Sequence, residues 1–363
     1  MKKVKLKFGE LFSGPGGLAL GATRAKVVQN GKEYSIVHTW SSDYDADSCE
    51  TYRVNISKAH PDSVICRDVR DLDLRKLAPI DVFAYGFPCN DFSIVGKQKG
   101  FGGTFGALYT FGVKLMNIYK PKFFVAENVG GLVSANEGEA FKKIVEDLSA
   151  CGNGYAVVAH RYRAEEYGVP QTRHRIILVG VDKKLALTFK VPASTHSLKH
   201  ISAREALEKP PIADNAYNHE RKRQSPIVLE RLALIPAGEN VWTANLPSHL
   251  QLNVKSARLS QIYKRLHPDK PSYTLTGSGG GGTHGYHYSE PRALTNRERA
   301  RIQTFPDDFV FMGAIESVRK QIGMAVPPLL SEIIFTAILN TFAGNDYSSV
   351  PPNINLSGQM KLV

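Results

Sequence analysis

Cys89 and Glu127 are the residues of this 363-residue chain best suited to covalent chemistry. Cys89 lies in Gly86-Phe87-Pro88-Cys89-Asn90-Asp91-Phe92-Ser93, and Glu127 begins Glu127-Asn128-Val129. An ordinary thiol, with a pKa of about 8.5, is mostly protonated at neutral pH, so a nucleophilic cysteine needs surroundings that favour the thiolate. Pro88 fixes the backbone just before it. A glutamate in a dry cleft has a raised pKa and can donate a proton, a role worth roughly 10²–10⁴-fold in rate. Downstream, Gln171-Thr172-Arg173-His174-Arg175 enters a strand. Alternation there puts Gln171, Arg173 and Arg175 on one face, an arrangement suited to holding phosphate or polarising a carbonyl.

A second group of residues has the pattern of a nucleotide-like pocket. Phe12-Ser13-Gly14-Pro15-Gly16-Gly17 follows a strand and opens a helix, and its glycines permit a tight turn and close approach of a ligand. Asp43 follows the next strand, where an acid can bind ribose hydroxyls, and Tyr44 beside it can stack on an adenine. Asp68, after the third strand, can accept from an exocyclic amine. Together they point to an adenosine-bearing cofactor.

These residues need a scaffold. Apolar runs at 4–8, 35–40, 64–66, 81–85 and 123–125 read as buried strands, with further strands at 155–162 and 175–181. Amphipathic stretches at 18–28, 46–54, 107–119 and 140–148 read as crossover helices. The expected fold is α/β, a doubly wound mixed sheet with a second, smaller loop-rich domain. Ligands of such sheets bind outside the carboxyl ends of the strands. Phe12, Asp43, Asp68, Cys89 and Glu127 each fall at or after one of the first five strand ends, forming a rim. After Asp182 the pattern breaks into prolines, scattered apolar residues and Gly277-Ser278-Gly279-Gly280-Gly281-Gly282. Regularity returns with a helix at 295–303, where Thr295 and Glu298 stand at the capping-box offset, and with an apolar helix at 329–342.

Composition narrows the function classes. The formal net charge is +12, and residues 195–300 carry 15 Lys and Arg against 9 Asp and Glu, with 7 of the 11 histidines. That concentration suits a polyanion, nucleic acid first, with a merely soluble basic surface as the alternative. No apolar run near eighteen residues is visible, so no membrane span is expected. Cys49, Cys66, Cys89 and Cys151 lie far apart in sequence, which suggests a reducing compartment, no metal site and no disulfide framework.

Together these motifs resemble the DNA (cytosine-5) methyltransferases, in family order over most of the chain. The Phe12–Gly17 loop, with Gly14, Gly16 and Gly17, resembles the S-adenosylmethionine loop. Asp43, Tyr44, Asp68 and Val69 match the adenosine-binding positions, and Pro88-Cys89 the nucleophile motif. Glu127-Asn128-Val129 matches the acid motif, and Gln171-x-Arg173-x-Arg175 the arginine motif. Residues 292–306 resemble the motif that organises the recognition domain. Gln321 to Pro328, with Met324, Ala325 and Val326, resembles the last motif, which completes the cofactor pocket, and Leu108 is carried over as a further cofactor contact. Three positions depart from the family pattern: Asn90 for glutamine, Phe105 for arginine and Met324 for asparagine.

The resemblance implies a division into residues 1–190 (catalytic and cofactor-binding), 195–290 (target recognition), 291–315 (hinge) and 316–363 (return to the catalytic domain). It also implies that Cys89 adds to carbon 6 of a flipped-out cytosine while Glu127 engages ring nitrogen 3. Arg175 would hold the cytosine carbonyl and Arg173 would support the site. The implied setting is a cytoplasmic, metal-free monomer acting on double-stranded DNA, with a cognate restriction endonuclease sharing its site. The rivals are an RNA (tRNA) cytosine-5 methyltransferase, a non-catalytic DNA-binding protein on the same fold, and a nicotinamide-dependent oxidoreductase.

Overall fold

The first strand shows how this sequence specifies a sheet. In Lys2–Leu11, Leu6 and the run from Phe8 to Leu11 are buried while the early lysines are largely exposed, so one end enters the core and the other meets water. The computed structural model of the protein describes residues 1–88, 108–133, 138–253, 259–277 and 282–356. Cys89, Asn90 and Phe105 lie outside them.

In chain order the strands are β1 (Lys2–Leu11), β2 (Lys26–Gln29), β3 (Lys32–Asp43), β4 (Val64–Cys66), β5 (Val82–Tyr85), β6 (Phe123–Val129), β7 (Tyr155–Arg163), β8 (Gln171–Thr172), β9 (His174–Asp182), β10 (Val191–Pro192), β11 (Ser272–Tyr273) and β12 (Ser349–Val350). The α-helices are α1 (Gly17–Arg24), α2 (Ala46–Asn55), α3 (Tyr109–Tyr119), α4 (Glu139–Ala150), α5 (Ala203–Glu208), α6 (Pro226–Leu234), α7 (Asn296–Ile302), α8 (Ile315–Met324) and α9 (Pro328–Ala343).

The chain divides into two compact units. The first holds residues 1–163, 174–194 and 328–363, and the second holds residues 164–173 and 195–327. This geometric division differs from the sequence boundaries: the return begins at Pro328, and Ala164–Arg173 groups with the second unit.

The first unit is built on a mixed sheet of order β2-β3-β1-β5-β6-β9-β7, with β4 added to β3. β3, β1, β5 and β6 pair in parallel, and β9 runs antiparallel to both β6 and β7. Its core includes Phe83, Leu115, Met116, Phe124, Phe141, Ile144 and Leu178. Complete burial of each such apolar side chain contributes about 1.5–3 kcal/mol. Helix α9 packs on α1, where Ser331 Oγ donates to the Leu18 carbonyl at 2.7 Å. A Cβ on Gly21 would stand 2.4 Å from the Glu332 amide nitrogen, so glycine permits this approach.

Two expectations are corrected here. The helix expected over 18–28 ends at Arg24, and Lys26–Gln29 instead forms a hairpin with β3. Asn30 and Gly31 both take positive φ, 47° and 71°, as a type I′ turn requires. The stretch Ile315–Ala343 contains an 18-residue window of mean hydropathy 1.8, long and apolar enough for a membrane span, but 72% of that window is buried as protein core.

In the second unit, β8 and β11 pair in parallel. Thr295 and Glu298 cap α7 with both bonds of the capping box. Buried arginines brace the loops: Arg265 donates to the carbonyls of Leu232, Ile235, His287 and Tyr288, and Arg297 to those of Tyr217, Pro306 and Phe309. Arg231 and Arg299 are buried too, so among the described residues at least four of the 15 cations counted over 195–300 lie inside the fold. The charge concentration therefore overstates the basic surface.

Candidate active site

The loop after β1 is shaped by backbone that L-residues seldom adopt. Phe12, Gly14 and Gly16 have φ of 55°, 51° and 95°. A left-handed phenylalanine stores local strain that its surroundings must hold. Ser13 donates its amide to the Ser42 carbonyl, and its buried hydroxyl has no hydrogen-bond partner among the described residues. Gly17 begins α1, which has no side-chain cap, so amides of its first turn face the loop.

Asp43, the last residue of β3, organises this loop. One carboxylate oxygen accepts the Gly14 amide at 2.7 Å and the other accepts the Asp45 amide at 3.0 Å. Burial pushes its carboxyl above the ordinary range, while those amides pull the other way. The Tyr44 amide is a third donor to this carboxylate, so of about four lone-pair positions about one remains. Tyr44 beside it is 65% exposed, its ring open at the rim. Val69 is buried. Asp68 is already engaged: Arg70 holds both its oxygens, at 2.9 and 2.6 Å, and keeps its carboxyl down at about 2. An incoming amine would have to displace this exposed fork.

Glu127 is the fifth residue of β6 rather than its end, two residues short of Val129. Register places it opposite Ile177, with Val129 opposite Arg175. Arg175 Nε stands 2.9 Å from Glu127 Oε1, with the two side chains only 13% and 12% exposed. Burial lowers the Arg175 pKa and Glu127 opposes that shift. Arg175 Nη1 donates to the His174 carbonyl. A Cβ on Gly86 would lie 3.3 Å from Glu127 Oε2, so Gly86 lets the segment leading to Cys89 pass close to this carboxylate. Asn128 Nδ2 donates to the Phe87 carbonyl at 3.1 Å, tying that segment to β6. Leu108 is buried at the start of α3.

Arg173, in the second unit, is fully buried. Its Nη2 donates to the carbonyls of Gly323 and Ala325, both at 2.9 Å, and Nη1 reaches the Leu275 carbonyl at 3.5 Å. Gln303 donates to the same Ala325 carbonyl and accepts from Gln171. The idea that Arg173 holds phosphate therefore fails, because its guanidinium is committed to backbone. It braces the Gly323–Ala325 segment, where Met324 is 64% exposed while Ala325 and Val326 are buried.

Sequence reading missed Glu10 and Tyr52. Glu10 is buried in β1, and burial drives its carboxyl well above the ordinary range despite a bond from Tyr52 Oη at 3.3 Å. A Cβ on Gly16 would meet the Tyr52 ring at 2.9 Å, so that ring lies against the loop. The available signal was a single acid at a core position of an otherwise apolar strand end.

A family model described as C-5 cytosine-specific DNA methylase matches residues 6–340. Type II methyltransferase M.BbvI of Brevibacillus brevis is 56% identical over 354 residues, spanning 96% of this chain and 94% of that protein. Type II methyltransferase M.NgoFVII of Neisseria gonorrhoeae is 41% identical, spanning 94% and 88%. A prophage-encoded DNA modification methyltransferase of E. coli has the same fold, with a TM-score of 0.71 at 24% identity over 93% of this chain and 99% of that one. The chain belongs to the C-5 cytosine-specific DNA methylases and is a DNA (cytosine-5-)-methyltransferase with a Rossmann-like methyltransferase fold.

Proposed function

We propose that the enzyme methylates carbon 5 of a cytosine flipped out of duplex DNA at a short specific site, through a covalent Cys89 adduct and with S-adenosylmethionine as donor. The Type II naming of its relatives supports a place in a restriction-modification system beside an endonuclease of the same site. The observation that carries the chemistry is the Glu127–Arg175 pair beside the Gly86–Pro88 segment that leads into Cys89.

Carbon 5 of cytosine is a poor nucleophile until a group adds at carbon 6. The Cys89 thiolate makes that bond, and Glu127 hydrogen-bonds or protonates ring nitrogen 3 to draw off the developing charge. Arg175 holds Glu127 in place and offers its remaining edge to the cytosine carbonyl. Asn128 fixes the approach of Cys89 by gripping Phe87. After methylation a base removes the carbon-5 proton and the Cys89 bond breaks. Flipping the base costs a few kcal/mol, offset by phosphate contacts from basic residues within 195–290, the segment that reads the site.

The first-unit residues suit S-adenosylmethionine: a buried Ser13 hydroxyl without a partner among the described residues, a loop opened by positive φ at Gly14 and Gly16, a carboxylate at Asp43 on the rim and an exposed ring at Tyr44. When bound, that cofactor supplies an electrophilic methyl group. Asp43 would take its ribose hydroxyls, Tyr44 its adenine, and the Phe12–Gly17 loop its remaining polar groups, with Val69 and Pro88 lining the pocket. Met324, Ala325 and Val326 are assigned to cofactor binding by motif position.

A duplex carrying 5-fluorocytosine at the recognition site tests this reading. The protein with S-adenosylmethionine should form a denaturation-resistant adduct, and Cys89→Ala should form none. Equal trapping by Cys89→Ala refutes the assignment.

A further inference from the structure

Cys49 and Cys66 stand 17 residues apart in sequence and carry no motif. The fold nevertheless sets both thiols against the carbonyls of the adjacent residues Asp43 and Tyr44, near enough to influence each other. Cys66 ends β4, where it is register-paired with Asp43, and Cys49 lies in the first turn of α2. Cys49 Sγ donates to the Asp43 carbonyl at 3.4 Å and Cys66 Sγ to the Tyr44 carbonyl at 4.0 Å. The pair thus brackets the two residues at the adenosine end of the proposed cofactor cradle. One thiol is buried and the other is exposed.

We propose that Cys49 and Cys66 form an oxidisable dithiol whose disulfide, made by a peroxide, weakens cofactor binding. This rests on the reading of Asp43 and Tyr44 as the adenosine end of the cradle. Cys66 is the thiol that reagents reach. Its thiolate attacks one oxygen of hydrogen peroxide, the O–O bond breaks, and the departing hydroxide takes up a proton as water. Cys49 sulfur then displaces hydroxide from the sulfenic Cys66, and the Cys49 proton leaves with it as a second water. The two sulfurs lose two electrons and the peroxide oxygens gain them. Burial pushes the Cys49 thiol up, which keeps it unreactive until a sulfenic partner is already beside it.

The consequence for the cradle follows from distance. A disulfide needs its sulfurs about 2.0 Å apart, closer than two separate thiols can approach. Closing the bond draws the first turn of α2 towards β4 across the turn 43–45. Asp43 in that turn holds the Gly14 amide at 2.7 Å, so the strain reaches the Phe12–Gly17 loop.

The test uses the full chain carrying Cys89→Ala, so that Cys89 cannot react. After stoichiometric hydrogen peroxide, non-reducing peptide mapping should find a Cys49–Cys66 linked peptide. Titration calorimetry should show S-adenosylmethionine affinity reduced about tenfold or more, restored by dithiothreitol. With Cys66→Ser added, the protein should bind as tightly as the reduced form and respond to neither reagent. Absence of the linked peptide, or equal affinity with the link formed, overturns the proposal. Failure of the reduced protein to bind S-adenosylmethionine overturns the cofactor reading and the consequence drawn from it, while the linked peptide would still report the dithiol separately.

Discussion

Replacing Arg173 with methionine separates two readings of the arginine motif. The substitution keeps the length of the side chain and removes its donors. Arg173 serves three carbonyls, but Ala325 keeps Gln303 as a second donor, so Gly323 and Leu275 are the carbonyls that lose the donor Arg173 gives them. A buried carbonyl left unsatisfied costs about 1–3 kcal/mol. The Leu275 contact is long at 3.5 Å and counts at the low end. Relief from burying a guanidinium offsets part of the loss. The expected net destabilisation is about 1–3 kcal/mol. Urea unfolding should report it, and hydrogen exchange should show faster opening of amides over residues 321–327. Arg173→Lys should fall between, since one ammonium cannot fork to three acceptors. An Arg173 that held DNA phosphate would give the opposite pattern: unchanged stability, weaker DNA binding and a shallower salt dependence. Stability of Arg173→Met within about 0.5 kcal/mol of the parent would refute the bracing role.

Three further outcomes follow from the same structure. Gly21→Ala forces a Cβ into the Glu332 backbone and should cost about 1–3 kcal/mol, read as a lower urea midpoint; an unchanged midpoint would deny the close α1–α9 packing. Burial holds the His160 pKa at about 4, against an ordinary 6.5, and its Nδ1 accepts the Asn353 amide. The unfolded chain therefore binds the proton first as pH falls, so this stability is complete above about 6.5 and is lost on acidification towards about 4. His160→Gln should flatten the pH dependence of urea unfolding in that window by about 2 kcal/mol, and an identical profile would count against it. Glu127→Gln should lower turnover by about 10²-fold or more while DNA affinity, measured by fluorescence anisotropy, stays within a few-fold. A parallel loss of both would make Glu127 a binding residue.

The sheet was legible because its strands are short apolar runs ended by turn residues, as at Val64–Cys66 and Phe123–Val129. Thr295 and Glu298 disclosed the start of α7 for the same reason: capping chemistry is local. β2 was missed because Val27 and Val28 continue the apolar pattern of α1, although Asn30-Gly31 carried the hairpin signal. The arginines show where local reasoning stops. Alternation treats Arg173 and Arg175 alike, yet one donates to distant carbonyls and the other pairs with Glu127, and neither partner is encoded nearby. Charge counting failed in a similar way, since Arg265 and Arg297 are internal braces. Cys49 and Cys66 were read as far apart because both meet the 43–44 turn only through tertiary structure, Cys66 by the β3–β4 register and Cys49 from α2.

The central claim is methyl transfer to carbon 5 of cytosine in DNA. It is tested most directly by incubating the purified protein with duplex DNA and labelled S-adenosylmethionine, then resolving the nucleosides by mass spectrometry. The account predicts label in 5-methylcytosine from duplex DNA, none from tRNA, and none with Cys89→Ala. Label in another methylated nucleoside, label from tRNA in preference to DNA, or undiminished transfer by Cys89→Ala would contradict it.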